Sequence, residues 1–283
     1  MRKTKRLLAL LVVISIGLVS LYQLLFYVPE SAGYINLDSG CQLKQSACFQ
    51  ANANQPLDQS GRINVLVWNI YKQNRTNWQA QLDQYADGRQ LLLLQEASLS
   101  DALVNWIDTR QWRGFQAHAF SVAEQVAGVL NLSRSLPFHI RVLTQMEPWF
   151  QLPKSALLVY YPLSDGQQLA VVNLHAVNFT LGLEEYREQL ANSLAELQYY
   201  RGPILVAGDF NSWSEARMTE LNFQMVQLGL TPVLFKPDHR SRVLNGNPLD
   251  HIYYRGLNLV TAEAPETDAS DHNPLLVSFS LSE

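Results

Sequence analysis

The sequence predicts an α/β protein in which two mixed β-sheets pack face to face with helices on the outside. Apolar runs of strand length alternate with segments whose apolar residues recur every three or four positions. Strand-like runs also follow one another without a helix between them, and Ser164-Asp165-Gly166 between two of them is a hairpin signature, so the pairing is not purely parallel. The 283 residues, 47% hydrophobic and 16% charged, are ample for one sizeable core. The net charge of −4 argues against a protein that grips nucleic acid by charge alone, so any phosphate contact is local or metal-mediated.

Residues 1–28 read as a basic cytoplasmic tip and a transmembrane anchor. Arg2, Lys3, Lys5 and Arg6 precede Leu7 to Val28, 22 residues without a charge and long enough to cross a hydrocarbon core as a helix. No convincing small-x-small cleavage site follows, which favours a retained anchor over a cleaved secretory signal. The cations before the span place the rest of the chain on the far side of the membrane. The expectation is a single-pass inner-membrane protein facing the periplasm or extracytoplasmic side; without insertion of the helix it would be cytoplasmic. Residues 29–62, rich in Ser, Gln, Asn and Gly, read as a stalk. Cys41 and Cys48 lie there, either closing a small loop in an oxidising compartment or standing as two thiols.

The domain, residues 63–283, opens on a buried strand, Arg62 to Ile70, that ends in Asn69. Thr76 is placed to cap a helix with Trp78, Leu82 and Tyr85 on one face, and Gly88 to end it. Gln90 to Glu96 is a second strand, and four leucines running into Glu96 require a cation or donors at its carboxylate. Ser100 and Asp101 open a short helix; Gly128 to Arg134 and Ser155 to Tyr161 are further strands. Leu169 to Asn178 returns through the core and ends in His175 and Asn178, and a helix with Leu183, Tyr186, Leu190, Leu194 and Leu197 follows. The apolar run Pro203 to Ala207 then delivers Gly208-Asp209-Phe210-Asn211, which is either a surface turn or a site at a sheet edge. A helix from Ser214 to Gly229, the stretch Leu249-Asp250-His251 and Ser270-Asp271-His272 before the closing strand Leu275 to Phe279 complete the chain. Adjacent Asp271 and His272 seldom serve each other, so Asp250 is the expected carboxylate partner of His272.

Asn69, Glu96, His175, Asp209, Asn211, Asp250, Asp271 and His272 thus gather at strand ends as one carboxylate-rich rim. Oxygen ligands of that kind suit Mg²⁺ or Mn²⁺ rather than zinc. The ordered set Trp68-Asn69-Ile70, Leu94-Gln95-Glu96, Gly128 to Arg134, Asn173-Leu174-His175, Gly208-Asp209-Phe210-Asn211, Leu249-Asp250-His251-Ile252 and Ser270-Asp271-His272 resembles the endonuclease/exonuclease/phosphatase superfamily, which includes the DNase I-like nucleases. The phrases Trp68 to Gln73 and Leu174 to Phe179 are similar to those of a bacterial branch, the YafD-like proteins. The resemblance implies a four-layer α/β/β/α sandwich and a metal-dependent phosphoesterase, most simply a phosphodiesterase or endonuclease. It implies Glu96 as principal metal ligand with Asn69 and Asp271 beside it. Asp209 would position or deprotonate the attacking water, and Asn211, with Asn178, would hold phosphate oxygens. His272, paired with Asp250, would be a base or a transition-state cation, and His175 would stand near the leaving group. Which histidine is acid and which base stays open.

The expected substrate is a phosphodiester, in nucleic acid or a phospholipid head group, and the expected membrane contact is the N-terminal helix; no protein partner is predicted. A sphingomyelinase-like or inositol phosphate phosphoesterase is the alternative enzyme, and a catalytically silent binding module on the same fold the alternative from another class. Basic candidates near the rim are few: Lys72, Lys154, Arg187, Arg240 and Arg242. Duplex binders normally present a broader basic surface.

Overall fold

The computed structural model describes residues 2–37, 55–180, 182–243 and 246–282; within the first helix, side chains 2–5, 7–9, 18 and 19 lie outside the description. Helix α1 (Arg2–Leu25) is followed by strands β1 (Phe26–Tyr27) and β2 (Gly33–Asn36). Strand β3 (Arg62–Asn69), helix α2 (Trp78–Ala86), strand β4 (Leu91–Ser98) and helix α3 (Asp101–Thr109) come next. Six strands then run without a helix: β5 (Arg113–His118), β6 (Phe120–Val122), β7 (Gln125–Ser133), β8 (His139–Met146), β9 (Pro153–Pro162) and β10 (Gln168–His175). Helix α4 (Glu184–Leu194), strand β11 (Ile204–Asp209) and helix α5 (Glu215–Gln227) alternate after them. The chain closes with β12 (Thr231–Pro232), β13 (Arg242–Val243), β14 (Asn247–Pro248), β15 (Asp250–Arg255), β16 (Leu257–Glu263) and β17 (Leu275–Leu281).

Two sheets carry the body. The larger has the order β1-β6-β7-β4-β3-β17-β16, with β5 also on β7 and β2 on β5; the smaller runs β12-β15-β11-β10-β9-β8. Both are mixed: β3 pairs parallel with β4 and β10 parallel with β11, while the remaining ladders are antiparallel. The apolar face between them holds Val65, Val67, Leu93, Val129, Leu157, Val171, Leu205 and Val277. The outer face of the larger sheet packs Leu66, Trp68 and Leu92 against Leu82 of α2 and Trp106 of α3. The outer face of the smaller sheet packs Val172 and Val206 against Leu190 of α4 and Leu221 of α5. The central strands β3, β4, β10 and β11 are buried on both faces, which explains their nearly continuous apolar runs, and the packing produces the four layers expected.

Several boundaries differ from expectation. The N-terminal helix stops at Leu25, because Phe26 and Tyr27 turn into a strand that pairs with β6. Among the described residues no helix is long and apolar enough to cross a membrane. The stretch expected as a stalk is partly built into the domain: Gly33–Asn36 joins the larger sheet, and Leu57 is buried in the inter-sheet core. Asp58 accepts hydrogen bonds from the Ser164 backbone and hydroxyl, which fixes that segment to the β9–β10 hairpin. Cys41 and Cys48 lie outside the described residues. The residue at the start of α2 is Asn77 rather than Thr76, with no side-chain cap, whereas Ser100 and Ser214 cap α3 and α5 as expected.

Candidate active site

The two parallel strand pairs run in the direction that brings Asn69, Glu96, His175 and Asp209 to one end of the sandwich. Register places His175 opposite Asp209 and Asp209 opposite Asp250 across three neighbouring strands. His272 reaches the same place from the loop before β17: the Trp68 indole donates to its carbonyl at 2.8 Å, and Ser270 Oγ, itself donating to the Asn69 carbonyl, accepts its N–H.

Asp209 is the hub. Its Oδ2 accepts from Asn69 Nδ2 at 3.0 Å and lies 3.4 Å from His175 Nε2 and 3.8 Å from His272 Nε2. Its Oδ1 accepts the Asn211 N–H at 2.9 Å. Glycine at 208 is a requirement of this approach. A Cβ there would stand 2.0 Å from the Leu174 carbonyl oxygen, and its φ of +140° disfavours any other residue. Asn211 also has positive φ, and its Nδ2 donates to the Ala176 carbonyl at 2.9 Å.

The two histidines sit in opposite electrostatic environments. Burial pulls the His272 imidazole down, but Asp250, Asp209 and Asp271 outweigh it and raise its pKa to about 10. Its Nδ1 is 2.8 Å from Asp250 Oδ2, the pairing expected from sequence. His175 is lowered to about 4 by burial and by Lys154, whose Nζ lies 3.0 Å from its Nε2. At neutral pH His272 is therefore a cation and His175 a neutral ring accepting from an ammonium. His251, adjacent to Asp250, is also driven neutral by burial and hydrogen-bonds Ser212 and the Pro248 carbonyl, a packing role.

Glu96 sits at a bulge in the β4–β7 ladder, between Leu94 and Ala97, with φ of 49°. The extra residue turns the carboxylate out of the apolar strand and toward the rim. Burial raises its pKa, but His175, Lys154 and Lys72 together hold it down at about 2. Lys72 donates to Glu96 Oε2, and His175 Nε2 is 3.8 Å from Oε1. The lysines answer the demand for a cation at Glu96 that the sequence posed without identifying them. Asp271 is exposed and accepts from Ser270 Oγ. Asn178 lies beside the centre, its Oδ1 accepting from the Trp213 indole at 3.0 Å. Arg217 went unread in the sequence. It is buried, donates to the carbonyls of Val177, Asn211 and Asn178, and stacks between Tyr186 and Trp213. Nothing in the spacing of α5 separates it from a solvated helix charge.

The donors suit a hard divalent ion. Glu96 and Asp271 offer partly or fully exposed carboxylate oxygens, and half-exposed Lys72 is a movable counter-charge. Asn69 fits less directly, since its Oδ1 already accepts the Tyr71 N–H. Among the described residues, Asp209, Asp250 and His272 form the trio whose donor atoms approach within 4.8 Å. The Asp250–His272 hydrogen bond occupies part of that trio, as Lys72 occupies Glu96 Oε2.

A profile of the Endonuclease/Exonuclease/phosphatase family matches residues 66–272. A UPF0294 protein of Vibrio vulnificus strain YJ016 is 50% identical over 260 residues, 92% of each chain. The crystal structure of an endonuclease/exonuclease/phosphatase from Beutenbergia cavernae superposes with a TM-score of 0.61 at 16% identity, covering 78% of this chain and 72% of that one. The human Nocturnin catalytic domain with bound sulfate anion superposes with a TM-score of 0.58 at 20% identity, over 80% of this chain and 96% of that one. With the motif residues meeting at one end of two stacked mixed sheets, the chain belongs to the endonuclease/exonuclease/phosphatase family, whose members are phosphoester hydrolases.

Proposed function

We propose that this protein is a divalent-metal-dependent phosphodiesterase that cleaves its substrate by direct attack of water. The observation that carries the reading is the meeting at Asp209, where one buried carboxylate contacts an amide, a neutral imidazole and an imidazolium. Phosphoryl transfer needs in-line placement of water and neutralisation of charge on the equatorial oxygens. Asp209 holds the water and takes its proton as the water oxygen bonds to phosphorus. His272, kept cationic by Asp250, donates from Nε2 to a phosphoryl oxygen, and Asn211 and Asn178 orient the phosphate. As the bond from phosphorus to the leaving oxygen breaks, the Lys154–His175 pair returns a proton to that oxygen. A magnesium or manganese ion held by Glu96 and Asp271, with Asn69 adjoining, would supply further charge neutralisation at the phosphate.

The reading includes a tether. Leu10, Val13, Ile14, Ile16 and Leu24 of α1 are exposed, and these apolar side chains need a cover that the described residues do not provide. The uncharged run in the sequence supports a membrane as that cover, with the domain on the extracytoplasmic side. A parallel screen of plasmid, single-stranded DNA, RNA, sphingomyelin and inositol phosphates with the full-length protein tests the enzyme. Hydrolysis of one or more phosphodiesters is expected, and no product from any of them under magnesium or manganese would overturn the reading in favour of a silent binding module.

A further inference from the structure

Beside the catalytic centre lies an apolar cleft of about 460 Å³ that the chemistry at Asp209 does not use. Its walls are Trp149, Phe179, Trp213, Val243 and Leu249, and its polar lining includes Asn178 and Asn211, the two amides assigned to the phosphate. The cleft therefore opens directly onto the phosphate position. Two of its aromatic walls, Trp213 and Phe179, are held by contacts. The Trp213 indole is hydrogen-bonded to Asn178 and stacked on Arg217, and buried Glu147 accepts the backbone N–H groups of Asn178 and Phe179. Phe150 meets Phe179 edge to face, with ring centroids 5.1 Å apart.

The mouth of the cleft is an exposed aromatic patch. Trp149 is 63% exposed and Phe150 and Phe179 are each 52% exposed, which is costly in water for three large neighbouring rings. The end of α1 reaches the same loop, the Tyr22 hydroxyl donating to the Phe150 carbonyl at 2.6 Å. Whatever apolar phase covers α1 thus adjoins the cleft mouth. Most cations near the rim are paired with carboxylates rather than laid out as an open track for a polyanion. Lys72 bonds Glu96, Lys154 contacts His175, Arg187 bonds Glu220, and Arg240 and Arg242 both bond Asp238. A strand of nucleic acid stacking on the aromatics would need that charge free.

We propose that the cleft is the subsite for the hydrocarbon chain of an amphiphilic phosphoester, so that the substrate is a lipid phosphodiester met at a membrane surface. This rests on the phosphodiesterase reading above. The phosphate sits at Asn211 and Asp209, and the apolar chain lies between Trp149, Phe179 and Trp213. The scissile chemistry is unchanged: water adds to phosphorus and the alcohol leaves with a proton.

The test uses the full-length protein in mild detergent with magnesium and a series of p-nitrophenyl alkyl phosphodiesters in which the alkyl group is methyl, butyl, hexyl or octyl. Burying each methylene is worth about 0.8 kcal/mol, roughly fourfold in kcat/KM, until the cleft is full. A rise of at least tenfold from methyl to hexyl is expected, and in Trp149→Ala and Phe179→Ala the hexyl-to-methyl ratio should fall toward one. Turnover without chain-length dependence in the wild type would overturn the lipid subsite while leaving the phosphodiesterase reading intact. Faster cleavage of single-stranded oligonucleotide than of the octyl ester would also overturn it, in favour of base stacking. Absence of any turnover would count against the phosphodiesterase reading alone. Binding of methyl, hexyl and octyl phosphate, followed by tryptophan fluorescence, then decides the cleft: affinity rising with chain length supports it, and equal affinities overturn it.

Discussion

Asp209 has four polar neighbours and no exposed surface to spare, so its position is set by groups that the substrate must also meet. The division of labour between the histidines follows from their partners. His272 has carboxylates on its sides and stays charged; His175 has an ammonium against Nε2 and stays neutral. The sign of the linkage is explicit for His272. Its folded pKa, about 10, lies above the ordinary histidine value of 6.5. Its contribution to stability is therefore complete below about 6.5 and lost as pH rises through about 10. Asp250→Asn removes the carboxylate hydrogen-bonded to Nδ1, so the His272 imidazole resonance, expected to stay unshifted through pH 8 in the wild type, should titrate at a clearly lower pH in the variant. An unchanged titration by NMR would show that Asp250 is not what charges His272. The residues of this site could be singled out because Asn, Glu, His and Asp recur at the ends of several apolar strands in an ordered set that resembles a known family; each alone has an ordinary turn or core use. Arg217 could not be, and Lys72 and Lys154 stood out only as basic candidates near the rim without a partner, because a lysine or arginine on the surface and one aimed at a carboxylate or a carbonyl look the same in sequence.

At the scale of elements, two backbone devices aim the site. The bulge at Glu96 turns a carboxylate out of a strand that otherwise reads as pure leucine, and Gly208 lets β11 lie against the Leu174 carbonyl. Gly208→Ala should abolish or cripple folding, losing several kcal/mol, because backbone at 2.0 Å cannot give as a flexible side chain would. A urea midpoint within error of the wild type would contradict that. Strands β3, β4, β7, β9, β10, β11 and β17 were readable from their apolar runs. Strands β5, β6, β8 and β16 were missed, as were the short β1, β2, β12, β13 and β14. β8 alternates exposed and half-buried positions at the sheet edge, so no continuous run marks it. β5 carries Gln116, fully buried with its amide donating to the Ala97 carbonyl, a polar interruption that hides the strand. Beneath the site, Gln95, Asn173 and Asn131 hydrogen-bond in series across the gap between the sheets, which spacing alone does not reveal.

The whole molecule places a rigid two-sheet body behind one rim, and joins that body to an apolar helix through the β1–β6 ladder and the Tyr22–Phe150 contact. Because Leu57, Asp58 and strand β2 are part of the body, a fragment beginning at residue 63 removes packed core, and experiments belong on the full chain. A reporter fused after the last residue should be active only if exported, and a reporter active in the cytoplasm would overturn the proposed topology. The central claim is that Asp209 and a divalent ion together drive water onto a phosphodiester. The most direct measurement is hydrolysis of bis(p-nitrophenyl) phosphate by the full-length wild type and Asp209→Asn, with magnesium, with chelator, and with magnesium restored. Turnover should vanish with chelator and return with the ion, and in Asp209→Asn it should fall about 10²-fold or more with the melting temperature nearly unchanged. Turnover that survives the chelator, or an Asp209→Asn protein as active as the wild type, would contradict it.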